Sequence, residues 1–161
     1  MRRIGPVALG ALLPVIFAFA GRAATVYVSL TGSATFPYDT PAKATPTPNT
    51  AYATAAAGDT IQFLDAGPYN GAGAVVLQMN TAAKSNILVD SSAPGGSVLQ
   101  NTGGLYTMLI TGMNGIRIRN LVFNGGGSCA ASCETAIQLQ NTSRSTIENC
   151  TMKNYNRIGV Y

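Results

Sequence analysis

The chain has 161 residues, enough for one domain, and only 10% of them are charged, far below the roughly 25% of an ordinary soluble domain. It contains no His and no Trp, which excludes Ser-His-Asp and Cys-His catalysis and the usual His-containing zinc sites. Ten Lys and Arg against six Asp and Glu give a net charge of +4, and 18 Gly point to turns rather than long charged helices.

Residues 1–23 read as a secretory signal peptide. Arg2 and Arg3 form a positive start, and an apolar stretch from Val7 to Ala20 follows, broken by Pro14. Ala18-Phe19-Ala20 and Gly21-Arg22-Ala23 both put small residues at the −3 and −1 positions of a cleavage site. The alternative is a membrane anchor, for which the apolar run is too short. Cleavage after Ala23 removes Arg2, Arg3 and Arg22 and lowers the net charge to +1. No nucleic-acid footprint remains, and no membrane span is expected after signal removal.

Residues 24–73 are expected to hold a first strand, a helix and a first coil. Thr25 to Ser29 has a strand pattern, followed by a polar connection with Pro37, Pro41, Pro46 and Pro48. An Ala-rich segment from Asn49 to Ala57 predicts a short helix, with Asn49 at its start and Gly58 at its end. Thr60 to Leu64 predicts a strand with Ile61 and Phe63 on one face.

Residues 74–161 give no helix signal. They carry short strand patterns separated by Gly and Asn, and they repeat with an offset of 29. Met79, Met108 and Ile137 match, as do Val89, Ile118 and Ile147. Further matches are Ile110 with Leu139, Leu121 with Cys150, and Phe123 with Met152. Ile87 matches Ile116 and then meets Ser145. One such unit cannot bury its apolar face alone, so the repeat predicts a stacked solenoid in which each matched set forms a column. Asn120 and Asn149 fall where the alternation changes phase, with Ser91 one repeat earlier. A bend is expected there, because Asn tolerates the left-handed conformation, and the stacked amides are expected to bond to one another.

Asp90, Arg119 and Glu148 form a further column, which parity turns outward, with Arg117 beside it. This is either a surface ion ladder or a charged strip for an anionic or sugar ligand. Cys129 and Cys133 sit in a Gly/Ser/Ala loop as a disulfide candidate. Two free thiols or a metal site are the alternatives, and without His or further Cys nearby no metal site is expected. Cys150 reads as a buried small residue. Asn141 and Asn149 begin sequons, and Asn149 is expected inside the buried ladder.

Several segments resemble the secreted right-handed parallel β-helix proteins of the pectate-lyase-like superfamily. Tyr27-Val28-Ser29 looks like the opening strand, and Pro37 to Ala44 like the segment before the capping helix. Ala55-Ala56-Ala57-Gly58-Asp59-Thr60-Ile61 looks like the junction into the first coil, with Gly67-Pro68-Tyr69 beyond it. Asn114 to Leu121 and Ser145 to Cys150 look like coil repeats. The resemblance covers residues 25–161. It implies an all-β, right-handed, single-stranded parallel β-helix with a short N-terminal capping helix. The last residues, Arg157 to Tyr161, look like the start of another coil, so a truncated chain is expected.

The resemblance also implies a secreted or cell-surface location and an extracellular polysaccharide or other cell-surface ligand as partner. Its lyases use an Arg or Lys base with carboxylate-bound Ca²⁺, its hydrolases two or three carboxylates, and only this analogy suggests calcium; no cofactor is evident from the residues. Lys84, Arg117, Arg119, Lys153 and Arg157 are the available bases. Asp59, Asp65, Asp90, Glu134 and Glu148 are the acids, too scattered for a calcium site or a hydrolase pair. The lyase and hydrolase motifs are absent, so no catalytic set is assigned. Two functions remain: polysaccharide binding or cleavage, or a non-enzymatic adhesin, stalk or scaffold.

Overall fold

The computed structural model describes residues 23–71, 75–101, 103–126 and 135–161. The expected signal peptide lies outside them except for Ala23, and so do Cys129, Cys133 and Glu134. Thirteen strands and one α-helix are described. The strands are β1 (Thr25–Val28), β2 (Thr60–Phe63), β3 (Tyr69–Gly71), β4 (Leu77–Met79), β5 (Leu88–Ser91), β6 (Ser97–Asn101), β7 (Tyr106–Thr111), β8 (Arg117–Arg119), β9 (Leu121–Asn124), β10 (Thr135–Gln140), β11 (Thr146–Glu148), β12 (Thr151–Lys153) and β13 (Ile158–Val160). Helix α1 spans Pro48–Thr54.

All strand pairs are parallel. The strands form three sheets, ordered β1-β2-β5-β8-β11, β3-β6-β9-β12 and β4-β7-β10-β13. From β2 onward the chain visits the three sheets in turn, four times over, as in a parallel β-solenoid. Each circuit stacks on the one before it, with neighbouring strands about 4.8 Å apart.

The core is built from the columns. Val26, Ile61, Val89, Ile118 and Ile147 stack in the first sheet. Tyr69, Leu99, Phe123 and Met152 stack in the second. Leu77, Met108, Ile137 and Val160 stack in the third. The inner members from Val26 to Ile137 are buried and form one continuous apolar cluster.

The offset of 29 holds from β5 to β8, β8 to β11, β9 to β12 and β7 to β10, but not in the earlier coils, nor from β10 to β13, where Ile137 pairs with Val160. Met79 lies beside Ile110, and Leu77 takes the expected place of Met79 beside Met108. The stack slips there by two residues because the corners between sheets differ in length from coil to coil, while inward parity is preserved. In the second sheet Leu99 pairs with Phe123, over a much shorter interval.

The bends follow the expected chemistry at Asn120 and Asn149, which adopt φ of 58° and 50°. Ser91 does not share that role. It stays extended in β5, and its Oγ accepts the Ala93 and Ser97 N–H groups. The turn is made instead by the loop after it, where Gly96 has φ 86° and packs so tightly that a Cβ would lie 2.7 Å from the Asn120 carbonyl oxygen. Asn149 is exposed rather than inside a buried ladder. The expected amide-to-amide bond occurs elsewhere, from Asn154 Nδ2 to Asn124 Oδ1 at 2.8 Å.

The helix is shorter than expected. Pro48 occupies its first turn, where a fixed φ and a missing N–H cost nothing. Thr47, not Asn49, is the N-cap residue, and it makes no side-chain cap bond. The helix ends before Ala55, which has ψ 143°, because Asp59 captures the following segment: Ala56 N–H donates to Asp59 Oδ2 at 2.8 Å. Gly58, at φ 85°, belongs to that turn. One 3-10 turn, Ala82–Lys84, also falls where no helical signal was read.

Helix α1 packs on β1 and on β4, the edge strand of the third sheet, and its Ala51 and Tyr52 join the core. Asn49 Oδ1 accepts the Gln78 N–H at 2.8 Å, and Tyr52 Oη accepts those of Asn80 and Thr81. The helix thus supplies acceptors where a further strand would have supplied carbonyls. Among the described residues no helix is long and apolar enough to cross a membrane.

Candidate functional site

The first sheet presents two outward columns. One runs Tyr27, Gln62, Asp90, Arg119 and Glu148; the other runs Thr25, Thr60, Leu88, Arg117 and Thr146. Alternation of each strand sends Val26, Ile61, Val89 and Ile118 inward, so these neighbours turn outward by necessity. Five strands span four gaps, so the face is about 19 Å long.

The structure brings Asp90 and Arg119 together. Arg119 Nη2 donates to Asp90 Oδ2 at 2.8 Å. Asp90, however, is not a solvated surface acid, being only 7% exposed. Its Oδ1 accepts from Asn120 Nδ2 at 2.8 Å and from the Ser91 N–H at 2.9 Å. The bend at Asn120 swings its amide toward the preceding coil, which is why it bonds Asp90 instead of Asn149. The Asp90 hydrogen bond and charge, assisted by the Glu148 charge, raise the already high pKa of Arg119. Glu148 stands beside Arg119 in register and is exposed, as is Arg117 two residues before Arg119. The two guanidinium-bearing residues therefore share one edge-to-edge strip, anchored on its inner side by a buried carboxylate.

A cleft of about 320 Å³ opens at the corner between the first and second sheets. Ser91, Gly96, Asn120, Val122, Asn149 and Thr151 line it. Asn120 thus both holds Asp90 and borders the cleft.

Other polar groups are committed to structure. Asp65 Oδ2 accepts from Ser29 Oγ and the Leu30 N–H, both at 2.8 Å, and Tyr69 Oη donates to Asp65 Oδ1. A second cleft, of about 450 Å³, lies beside α1. There Lys84 Nζ is spent on the Tyr52 and Ala53 carbonyls, at 2.9 and 2.7 Å, and lies over the Tyr52 ring. Cys150 is half-buried, its Sγ donating to the Glu148 carbonyl at 3.3 Å, and burial pushes its thiol pKa up.

Calcium does not fit the strip. A Ca²⁺ ion takes six to eight oxygens, whereas both Asp90 oxygens already receive nitrogen donors. Among the described residues no three His, Cys, Asp or Glu side chains gather for a metal.

Two members of the outward face, Tyr27 and Gln62, escape a search for the 29-residue repeat because they precede it. The alternations Val26/Val28 and Ile61/Phe63 carry the signal that would have placed them. No protein-family model, curated protein or solved structure matches this chain.

Proposed function

We propose that this chain is a secreted or cell-surface domain that binds an acidic extracellular polysaccharide along the outward face of its first sheet. The observation that carries the reading is the Arg117–Arg119 pair, with Arg119 anchored by the buried Asp90. A guanidinium presents paired donors to a carboxylate, and an anchored one loses less freedom on binding. Gln62, Thr60 and Thr146 add neutral hydrogen-bonding groups along the face, and Tyr27 adds an aromatic ring at its far end. A repeating ligand suits a repeating surface.

The same face favours binding over cleavage. Asp90, the best-placed acid, has both oxygens occupied by Arg119, Asn120 and Ser91, so it serves as an anchor rather than a proton donor. The finer architecture in this reading is the right-handed parallel β-helix of the pectate-lyase-like superfamily. The successive three-sheet circuits and the edge-covering helix support it.

Titration calorimetry with polygalacturonate at low ionic strength tests the reading. Binding that weakens with added salt is expected. The Arg117→Ala/Arg119→Ala double variant is expected to lose roughly tenfold or more in affinity, since each charge-assisted hydrogen bond contributes about 1.5–3 kcal/mol. Equal affinity in the variant would falsify the assignment of the strip. If the unmutated chain binds no acidic polysaccharide, the alternative of a non-enzymatic adhesin, stalk or scaffold takes its place.

A further inference from the structure

Two carboxylates of the described residues are less than a tenth exposed, Asp59 and Asp90. Asp90 has Arg119 as its cation. Among the described residues Asp59 has no side-chain partner. Its Oδ1 accepts the Ala24 N–H at 2.8 Å, and its Oδ2 accepts the Ala56 N–H at 2.8 Å. A buried carboxylate held only by neutral amides lacks the charge that normally offsets its desolvation.

The donor to Oδ1 sits at a particular place in the sequence. Ala24 directly follows Gly21-Arg22-Ala23, the second of the two small-x-small junctions. It is also fixed on its other side, where the Thr60 N–H donates to the Ala24 carbonyl at 2.8 Å. Both Ala23 and Ala24 are exposed.

We infer that Asp59 is the receptor for the α-ammonium of a mature chain that begins at Ala24. This rests on the secretory reading. The step is hydrolysis of the Ala23–Ala24 peptide bond by an endopeptidase that acts after small residues. Water is consumed, Ala23 leaves with the new carboxylate, and the Ala24 nitrogen becomes an ammonium. The neutral amide donor at Oδ1 is thereby replaced by a cation in the same position. A cut after Ala20 would leave three residues ahead of Ala24 and keep the donor neutral. A cut after Ala24 would remove the donor.

The other charged and titratable groups on the elements around Asp59 are already engaged or belong to the solvated face. Lys84, on the turn whose Ser85 carbonyl accepts the Gly58 N–H, is bound to the Tyr52 and Ala53 carbonyls. Tyr52 Oη accepts from Asn80 and Thr81. Asp90 on β5 is paired with Arg119, and Tyr27 on β1 lies on the outward face.

Two measurements test the inference. The first is N-terminal sequencing of the protein exported by a secreting host. A start at Ala24 is expected. Export with any other start overturns the inference alone, whereas retention inside the cell with Met1 intact overturns the secretory reading and the inference with it. The second is NMR titration of the α-amine in a recombinant chain beginning at Ala24. Its pKa is expected at least one unit above the usual value of about 8, because an opposite charge stands beside it. In the Asp59→Asn variant it should return to about 8. A chain beginning at Gly21 provides the same contrast without touching Asp59, should that variant fail to fold. An unshifted amine in the Ala24 chain overturns the ion pair.

Discussion

Tyr69 and Tyr155 show how burial changes single residues. Tyr69 is 1% exposed, and burial, then the hydrogen bond and charge of Asp65, push its phenol far above the ordinary value. Burial likewise pushes Tyr155 up to about 12, with the Thr107 hydrogen bond pulling slightly the other way. Both phenols therefore keep their protons in the folded chain at a pH where the unfolded chain, with a pKa of about 10, has lost them. The stability they contribute is fully present below about pH 10 and falls as pH rises above it, with the Tyr155 share lost by about pH 12. A series of thermal melts should show Tm falling through that window. Tyr155→Phe, which removes one of these protons, should flatten the fall; an unchanged slope would contradict the assignment. At this scale the sequence was legible where backbone chemistry decides, as at Asn120 and Asn149. It was not legible at Asp90. Parity turns Asp90 outward, but its burial depends on Asn120 and Arg119 from the next coil, thirty and twenty-nine residues away.

The element scale is governed by the columns. Ile118 is 1% exposed and stands between Val89 and Ile147, while Arg119, its neighbour, points the other way. Ile118→Ala should lower unfolding free energy by roughly 2–5 kcal/mol, since it removes buried methyl groups from a column that cannot collapse around the gap. Arg117→Ala should leave the urea midpoint nearly unchanged, because Arg117 is exposed on the outward face of the same strand. Equal losses in the two variants would mean that the register is wrong. The 29-residue period predicted these columns wherever successive coils have equal corners. It misplaced Met79 because periodicity reports an average spacing, and the early corners differ in length. A second set of contacts carried no hydrophobic signal at all. Asn114 accepts from Ser143 N–H and Oγ at 3.2 and 2.7 Å and donates its own N–H to Ser85 Oγ at 3.2 Å, so a polar column runs up one corner. Gly115 beside it has φ 68°, a conformation that residues with a Cβ rarely adopt.

For the molecule as a whole, an open stack of parallel strands has ends with unpaired edges, which invite association with further chains. Helix α1 covers the edge at β4 with both apolar surface and acceptors. Tyr52 combines the two, since its ring joins the core and its hydroxyl receives two backbone N–H groups. Tyr52→Ala should therefore cost roughly 3–5 kcal/mol, the usual range for a large buried aromatic, and should also expose the β4 edge. Sedimentation velocity should then show a larger fraction of oligomers than in the unmutated chain. A destabilised variant that remains monomeric would show that edge protection lies elsewhere.

The sequence by itself determined the class of the fold: short strands, an N-terminal helix, a repeating unit and the bends at Asn. These rest on local rules, namely side-chain alternation along a strand, the φ freedom of Asn and Gly, and equal spacing of matched residues. The tertiary structure alone decided where the helix stops, how the early coils slip, and which charges are buried. Each of these depends on a partner from another coil or segment. Asp59 is the clearest case, for one carboxylate ends the helix through Ala56 and holds Ala24, the residue before β1, thirty-five positions earlier.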